Sequence, residues 1–93
     1  MTEKQFQRQV IDLAKLLHYK VYFTWNSFHS PTGFPDLVLT RPSDGRLIFA
    51  ELKASGGTLT DAQREWLDAL RVTKAEAYLW FPSNFDDIVE TLK

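Results

Sequence analysis

Two runs rich in β-type side chains, residues 36–42 and 47–55, flank the tetrad Ser43-Asp44-Gly45-Arg46. Asp-Gly between such runs is a strong hairpin signal, because glycine readily takes the left-handed backbone of a tight turn. No other stretch restricts the fold as much, since it commits the middle of the chain to an antiparallel pair. With Asp44-Gly45 as a two-residue loop, Leu37 faces Leu52 and Leu39 faces Ala50. Together with Ile48 these make one apolar face. On the other face Asp36 pairs with Lys53 and Val38 with Glu51. The register matters, because a one-residue slip would turn one strand's side chains to the wrong side.

The remaining elements fall around this hairpin. Phe6, Val10, Leu13 and Leu17 recur at helical spacing, so residues 3–19 are predicted as a helix, with Thr2 and Gln5 spaced as a capping box. Residues 21–25 are β-branched and aromatic and read as a strand, followed by a loop through Pro35. Thr60 and Gln63 have the capping-box spacing of a second helix whose inner face is Trp66, Leu67 and Leu70. Residues 77–81 form a fourth strand. Ser83 caps a last helix with Ile88, Val89 and Leu92 inward. The order is helix, three strands, helix, strand, helix, which predicts an α/β architecture around a mixed four-stranded sheet. Ninety-three residues accommodate one domain, taken as 1–93.

Composition closes several routes. The chain has no cysteine, so disulfides, thiolate metal sites and cysteine nucleophiles are excluded. No apolar run approaches membrane-spanning length and the N-terminus is unlike a secretory signal, so a soluble, cytoplasmic protein is expected. The net charge is −1; residues 1–60 carry seven basic and five acidic side chains, residues 61–93 four and seven. This is not the footprint of a strong electrostatic DNA binder.

The polar face of the hairpin carries the chemistry. Two carboxylates at close range repel each other, and a divalent cation removes that cost. Mg²⁺ prefers one or two carboxylates together with water and phosphate oxygens. A neighbouring ammonium can neutralise charge that develops in a phosphoryl transition state. Asp36, Glu51 and Lys53 therefore have the make-up of a metal-assisted phosphodiester hydrolase. The bland alternative is a surface salt bridge between Asp36 and Lys53, with Glu51 solvated.

The ordered set Gly33-Phe34-Pro35-Asp36, then Glu51-Leu52-Lys53, then Thr60-x-x-Gln63 resembles the PD-(D/E)xK nuclease superfamily. Within it, the chain is most similar to the VRR-NUC group in its minimal stand-alone form from phages and bacteria. The resemblance implies a restriction-endonuclease-like core and a Mg- or Mn-dependent DNA endonuclease. It makes Asp36, Glu51 and the Leu52 carbonyl the metal ligands, Lys53 the catalytic lysine, and Gln63 a residue that holds the lysine, a water or the scissile phosphate. Glu3 is similar to an acidic family residue that supports the site, and helix-dipole compensation is its other reading. Gln63 is open to a capping role alone.

In the loop before Gly33, Phe28 and His29 are candidate substrate contacts, with Phe28 and Trp25 able to stack on unpaired bases or to serve as core or dimer contacts. His18 is most simply a partner for a helix C-terminus. The resemblance and the small size imply a homodimer acting on branched DNA such as four-way junctions. A restriction-type or nicking nuclease without junction preference, or a non-catalytic interaction module on the same fold, are the alternatives.

Overall fold

The computed structural model describes residues 1–24 and 31–93. Trp25, Phe28 and His29, and the contacts expected of them, lie outside the described residues. Helix α1 spans Glu3–Leu16 and opens with the expected capping box: Thr2 Oγ1 accepts from Gln5 N at 3.1 Å, and Gln5 Oε1 accepts from Thr2 N at 2.8 Å. The helix stops short of the predicted residue 19. His18 takes a left-handed φ of 74°, its N–H donates to Lys15 O at 3.1 Å, and the Tyr19 N–H donates to Ala14 O at 2.9 Å. This pair of bonds is a Schellman ending, in which glycine usually holds the left-handed position. His18 is thus the stop residue of α1. A non-glycine residue pays about 1–2 kcal/mol for that conformation. His18→Gly is therefore expected to raise stability by about 1 kcal/mol after glycine's own chain entropy is set against it. A denaturant midpoint that falls on this change would contradict the assignment.

The strands are β1 Lys20–Phe23, β2 Leu37–Arg41, β3 Arg46–Leu52 and β4 Glu76–Trp80, in the spatial order β1-β2-β3-β4. The first three are antiparallel, and β4 runs parallel to β3. Helix α2, Asp61–Arg71, makes the crossover between them, and α3, Phe85–Leu92, follows a 3₁₀ turn at Pro82–Asn84. Ser83 does not cap α3. The N-cap is Asn84, whose side chain instead accepts from Phe81 N at 3.0 Å.

The hairpin register differs from the sequence expectation by two residues. Leu37 pairs with Ala50, Leu39 with Ile48 and Arg41 with Arg46. The connection is therefore a four-residue loop, Pro42 to Gly45, and not a two-residue turn. Gly45 (φ +70°) ends that loop, with its N–H donating to Arg41 O at 2.8 Å. The Arg41 guanidinium holds the Asp44 carboxylate at 2.8 Å across the loop. A slip of two preserves the faces, because side chains alternate with period two. It changes partners, however: continued one step, the register sets Asp36 level with Glu51 rather than Lys53.

One face of the sheet, Leu37, Leu39, Ile48, Ala50 and Leu52, is buried with Phe6, Val10, Ile11 and Ala14 of α1 and Ile88 and Leu92 of α3. Alternation sends Phe49, Glu51, Ala77 and Leu79 to the opposite face, which α2 covers with buried Leu67 and half-buried Trp66. At the hairpin end, two arginines receive the carbonyls that end α1 and α3. Arg41 Nη1 donates to Leu17 O at 3.2 Å and Leu92 O at 2.9 Å, and Arg46 Nη1 donates to Thr91 O at 2.7 Å. Arg46 also grips Glu76 with two bonds of 2.9 and 2.7 Å, and these bonds hold the Glu76 carboxyl below the usual range. These guanidinium groups satisfy orphan helix carbonyls and complement the negative ends of both helix dipoles. Among the described residues, no helix is long and apolar enough to cross a membrane.

Candidate active site

The motif Gly33-Phe34-Pro35-Asp36 reaches the sheet as a braced loop. Gly33 has φ +88°, and a Cβ placed on it would lie 2.5 Å from the Ala62 carbonyl carbon and 2.8 Å from Ala62 Cβ. Only glycine fits there, both for the backbone angle and for the approach to the first turn of α2. Phe34 packs edge-on against Phe49, with ring centroids 6.0 Å apart, and against Trp66 at 5.0 Å. Pro35 is fully buried. Asp36 is thereby delivered beside the end of β3, where its Oδ2 accepts from Leu52 N at 2.8 Å.

Glu51 is the one buried charged residue among those described, 2% exposed, and its Oε1 has no hydrogen-bond partner. Burial, the contact with the Asp36 carboxylate and that group's charge push the Glu51 carboxyl well above the usual carboxylate range; the Lys53 charge pulls it back in part. A buried carboxylate with a free oxygen beside a second carboxylate is costly unless a cation joins them. Asp36 and Glu51 both line a cavity of about 310 Å³ with Gln63, Phe34, Thr24 and Thr32.

Gln63 makes the capping-box contacts and also lines the cavity. Its Oε1 accepts from Thr60 N at 2.9 Å, and its own N–H donates to Thr60 Oγ1 at 3.2 Å. The carbonyl oxygen is thus committed to the cap, which fixes the amide orientation and leaves the NH₂ as the donor available to the cavity.

Lys53 follows β3 as the next residue, its N–H held by Trp80 O at 3.0 Å. It is half-buried and does not line the cavity, but it lies near enough for its charge to act on Glu51. Glu3 is exposed in the first turn of α1 and lines neither this cavity nor the groove beside Arg8, Ile11 and Phe23. Thr24 and Thr32 were not singled out from the sequence. Their signal would have been position, since they bracket the loop that leads to Asp36. Among the described residues, no three His, Cys, Asp or Glu side chains gather as a metal cluster. The side-chain donors here are the two carboxylates, a number that suits Mg²⁺ when water and phosphate complete its shell.

The VRR-NUC domain profile matches residues 2–80 of the chain. The chain belongs to the VRR-NUC family. This is a nuclease family, and its members are typically metal-dependent. A solved VRR-NUC domain superposes with a TM-score of 0.80 at 22% identity, covering 97% of both chains. The Holliday junction resolvase Hjc of Archaeoglobus fulgidus superposes with a TM-score of 0.61 at 24% identity, over 84% of this chain and 67% of that one. The fold is therefore the restriction-endonuclease-like α/β core. The Fanconi-associated nuclease 1 homolog of Schizosaccharomyces pombe is 38% identical over 42 residues, 45% of this chain. The VRR-NUC chain spans 6% of the length of that curated relative.

Proposed function

We propose that this VRR-NUC chain is a Mg²⁺- or Mn²⁺-dependent endonuclease that cuts branched DNA, four-way junctions above all. The observation that carries the chemistry is the free Oε1 of buried Glu51, set beside Asp36 on a cavity. Asp36 and Glu51 are the side chains that would hold the cation. The Leu52 carbonyl would be the third protein ligand; in its support, the Leu52 N–H reaches Asp36, and the N–H and C=O of one strand residue point to the same side. When bound, the cation supplies Lewis-acid polarisation of the scissile phosphate and eases deprotonation of the attacking water.

The protein's own groups do the rest. The Lys53 ammonium offsets negative charge that builds on the phosphoryl oxygens and orients the water. The Gln63 NH₂ donates to a phosphate oxygen or to that water, and the cap holds it in place while it does so. The Thr24 and Thr32 hydroxyls offer further donors to the DNA backbone.

Selectivity for shape is supported by the make-up of α2 and by the net charge. The inner face of α2 is committed to Leu67 and Trp66, and the net charge is −1. Neither base-edge reading nor indiscriminate backbone binding is strong on such a surface. A two-fold dimer with two sites at fixed spacing fits a bent or branched substrate, whereas bending a straight duplex costs about 1–6 kcal/mol. The similarity to Hjc supports the same reading.

The test is a panel of linear, flapped and four-way DNA with Mg²⁺ or Mn²⁺, with sedimentation at micromolar concentration alongside. The expected result is fastest cutting of the four-way junction, cut sites that move with the branch, and a dimer. Cleavage that survives exhaustive chelation would sink the mechanism. Cutting at one fixed base sequence regardless of branching would point to a restriction-type enzyme, and full activity from a monomer would remove the dimer.

A further inference from the structure

After Lys53 the chain turns sharply, with Gly57 N donating to Ala54 O at 3.0 Å. The two glycines in this turn are there for opposite reasons. Gly56 has φ +82°, and a Cβ added to it would meet nothing within 4 Å. Its need for glycine lies in the backbone angle. Gly57 is outside the left-handed region, so its backbone accepts any side chain. A Cβ there would lie 3.2 Å from Lys53 Cβ, 3.4 Å from Lys53 Cδ and 3.1 Å from Ala54 O. The Lys53 stem therefore borders the space that any side chain at position 57 would enter.

A lysine stem has four rotatable bonds and carries about 2 kcal/mol of rotamer entropy, so its ammonium is aimed only where something restricts the stem. We propose that Gly57 is a positioning residue for Lys53: the missing Cβ leaves the stem the space it runs beside, and so keeps the ammonium where its charge acts on Glu51. The inference rests on the reading of Lys53 as the catalytic lysine. A misplacement of about 1 Å in such a group can cost on the order of 10²-fold in rate, and an added methyl would shift the stem by a fraction of that.

The experiment compares Gly57→Ala, Gly56→Ala, Lys53→Ala and the double variant Lys53→Ala/Gly57→Ala. In Gly57→Ala, kcat should fall about tenfold, with KM for DNA and the unfolding midpoint close to wild type. In the metal-free protein, its Lys53 methylene NMR signals should shift. Gly56→Ala should do the reverse, lowering the midpoint while leaving kcat and the Lys53 signals alone. The double variant should be no slower than Lys53→Ala, because the glycine acts only through the lysine. If Gly57→Ala cleaves at the wild-type rate with unmoved Lys53 signals, the turn gives way and the inference is wrong. An unfolded Gly57→Ala overturns it too, since the glycine then serves the turn's stability. Lys53→Ala that cuts normally removes the underlying reading of Lys53. Lys53→Ala that is inactive beside a normal Gly57→Ala removes only the role given to Gly57.

Discussion

Lys53→Ala is expected to lower kcat by about 10²–10³-fold while the fold and the affinity for DNA stay close to wild type. The magnitude is that of removing one charge-stabilising donor from a transition state. The fold survives because Lys53 is half-buried and lies beyond the last residue of β3, outside the core cluster. A second effect has the same direction. The Lys53 charge counters the factors that hold the Glu51 carboxyl high, so its loss leaves Glu51 more fully protonated and a poorer cation ligand. Single-turnover cleavage with saturating protein separates the rate from binding. A variant that cuts as fast as wild type would return Lys53 to an ordinary surface cation.

Glu51→Gln should act in opposite directions on activity and on stability. Cleavage is lost with the ligand. The metal-free fold, in contrast, should become more stable near pH 8, by on the order of 1–3 kcal/mol. The sign follows from proton binding. In the folded chain the Glu51 carboxyl titrates above its ordinary value of 4.5, so between the two values the native state keeps a proton that the unfolded chain has released. Wild-type stability from this group is thus intact below the unfolded value and is lost as pH rises through the folded one. The Asp44 and Glu76 carboxyls are held low by Arg41 and Arg46 and lose their contribution as pH falls. They are common to both proteins and cancel in the comparison. The difference in unfolding midpoint between Glu51→Gln and wild type should then grow from near zero at acid pH to its largest value at alkaline pH. Added Mn²⁺ should raise the wild-type midpoint at pH 8 and leave the variant's where it is. Equal midpoints at all pH values would mean that Glu51 is solvated in the native state.

The sequence showed which side chains share a face more securely than which of them are level. The period-two placing of Leu37, Leu39, Ile48 and Ala50 survives a two-residue slip, so the shared side of Asp36 and Glu51, opposite that apolar set, was readable. Their direct opposition was not, because it depends on a four-residue loop that Asp44-Gly45 disguises as a two-residue turn. Capping boxes were readable because their bonds are local, at Thr2 with Gln5 and Thr60 with Gln63. The arginine bonds to the ends of α1 and α3 were not, since their acceptors are backbone carbonyls as far as 52 positions away and carry no side-chain signature. The end of α1 was misplaced because a histidine holds the position where glycine would have marked the stop. Gln63 could be placed on the inward face of its helix, yet only the bond to Thr60 N shows which end of its amide is left over.

The contact between Gly33 and Ala62 makes one mechanical part of two elements that are distant in sequence. The atoms that a Cβ at position 33 would meet first are the carbonyl carbon and oxygen of Ala62, so trimming the alanine side chain frees no room for one. A lineage that re-angles α2 to suit a new DNA shape drags the loop bearing Asp36 along with it and disturbs the carboxylate before any benefit appears. Adaptation of substrate choice in such a domain is therefore steered away from the first turn of α2 and toward surfaces that can change without moving that loop.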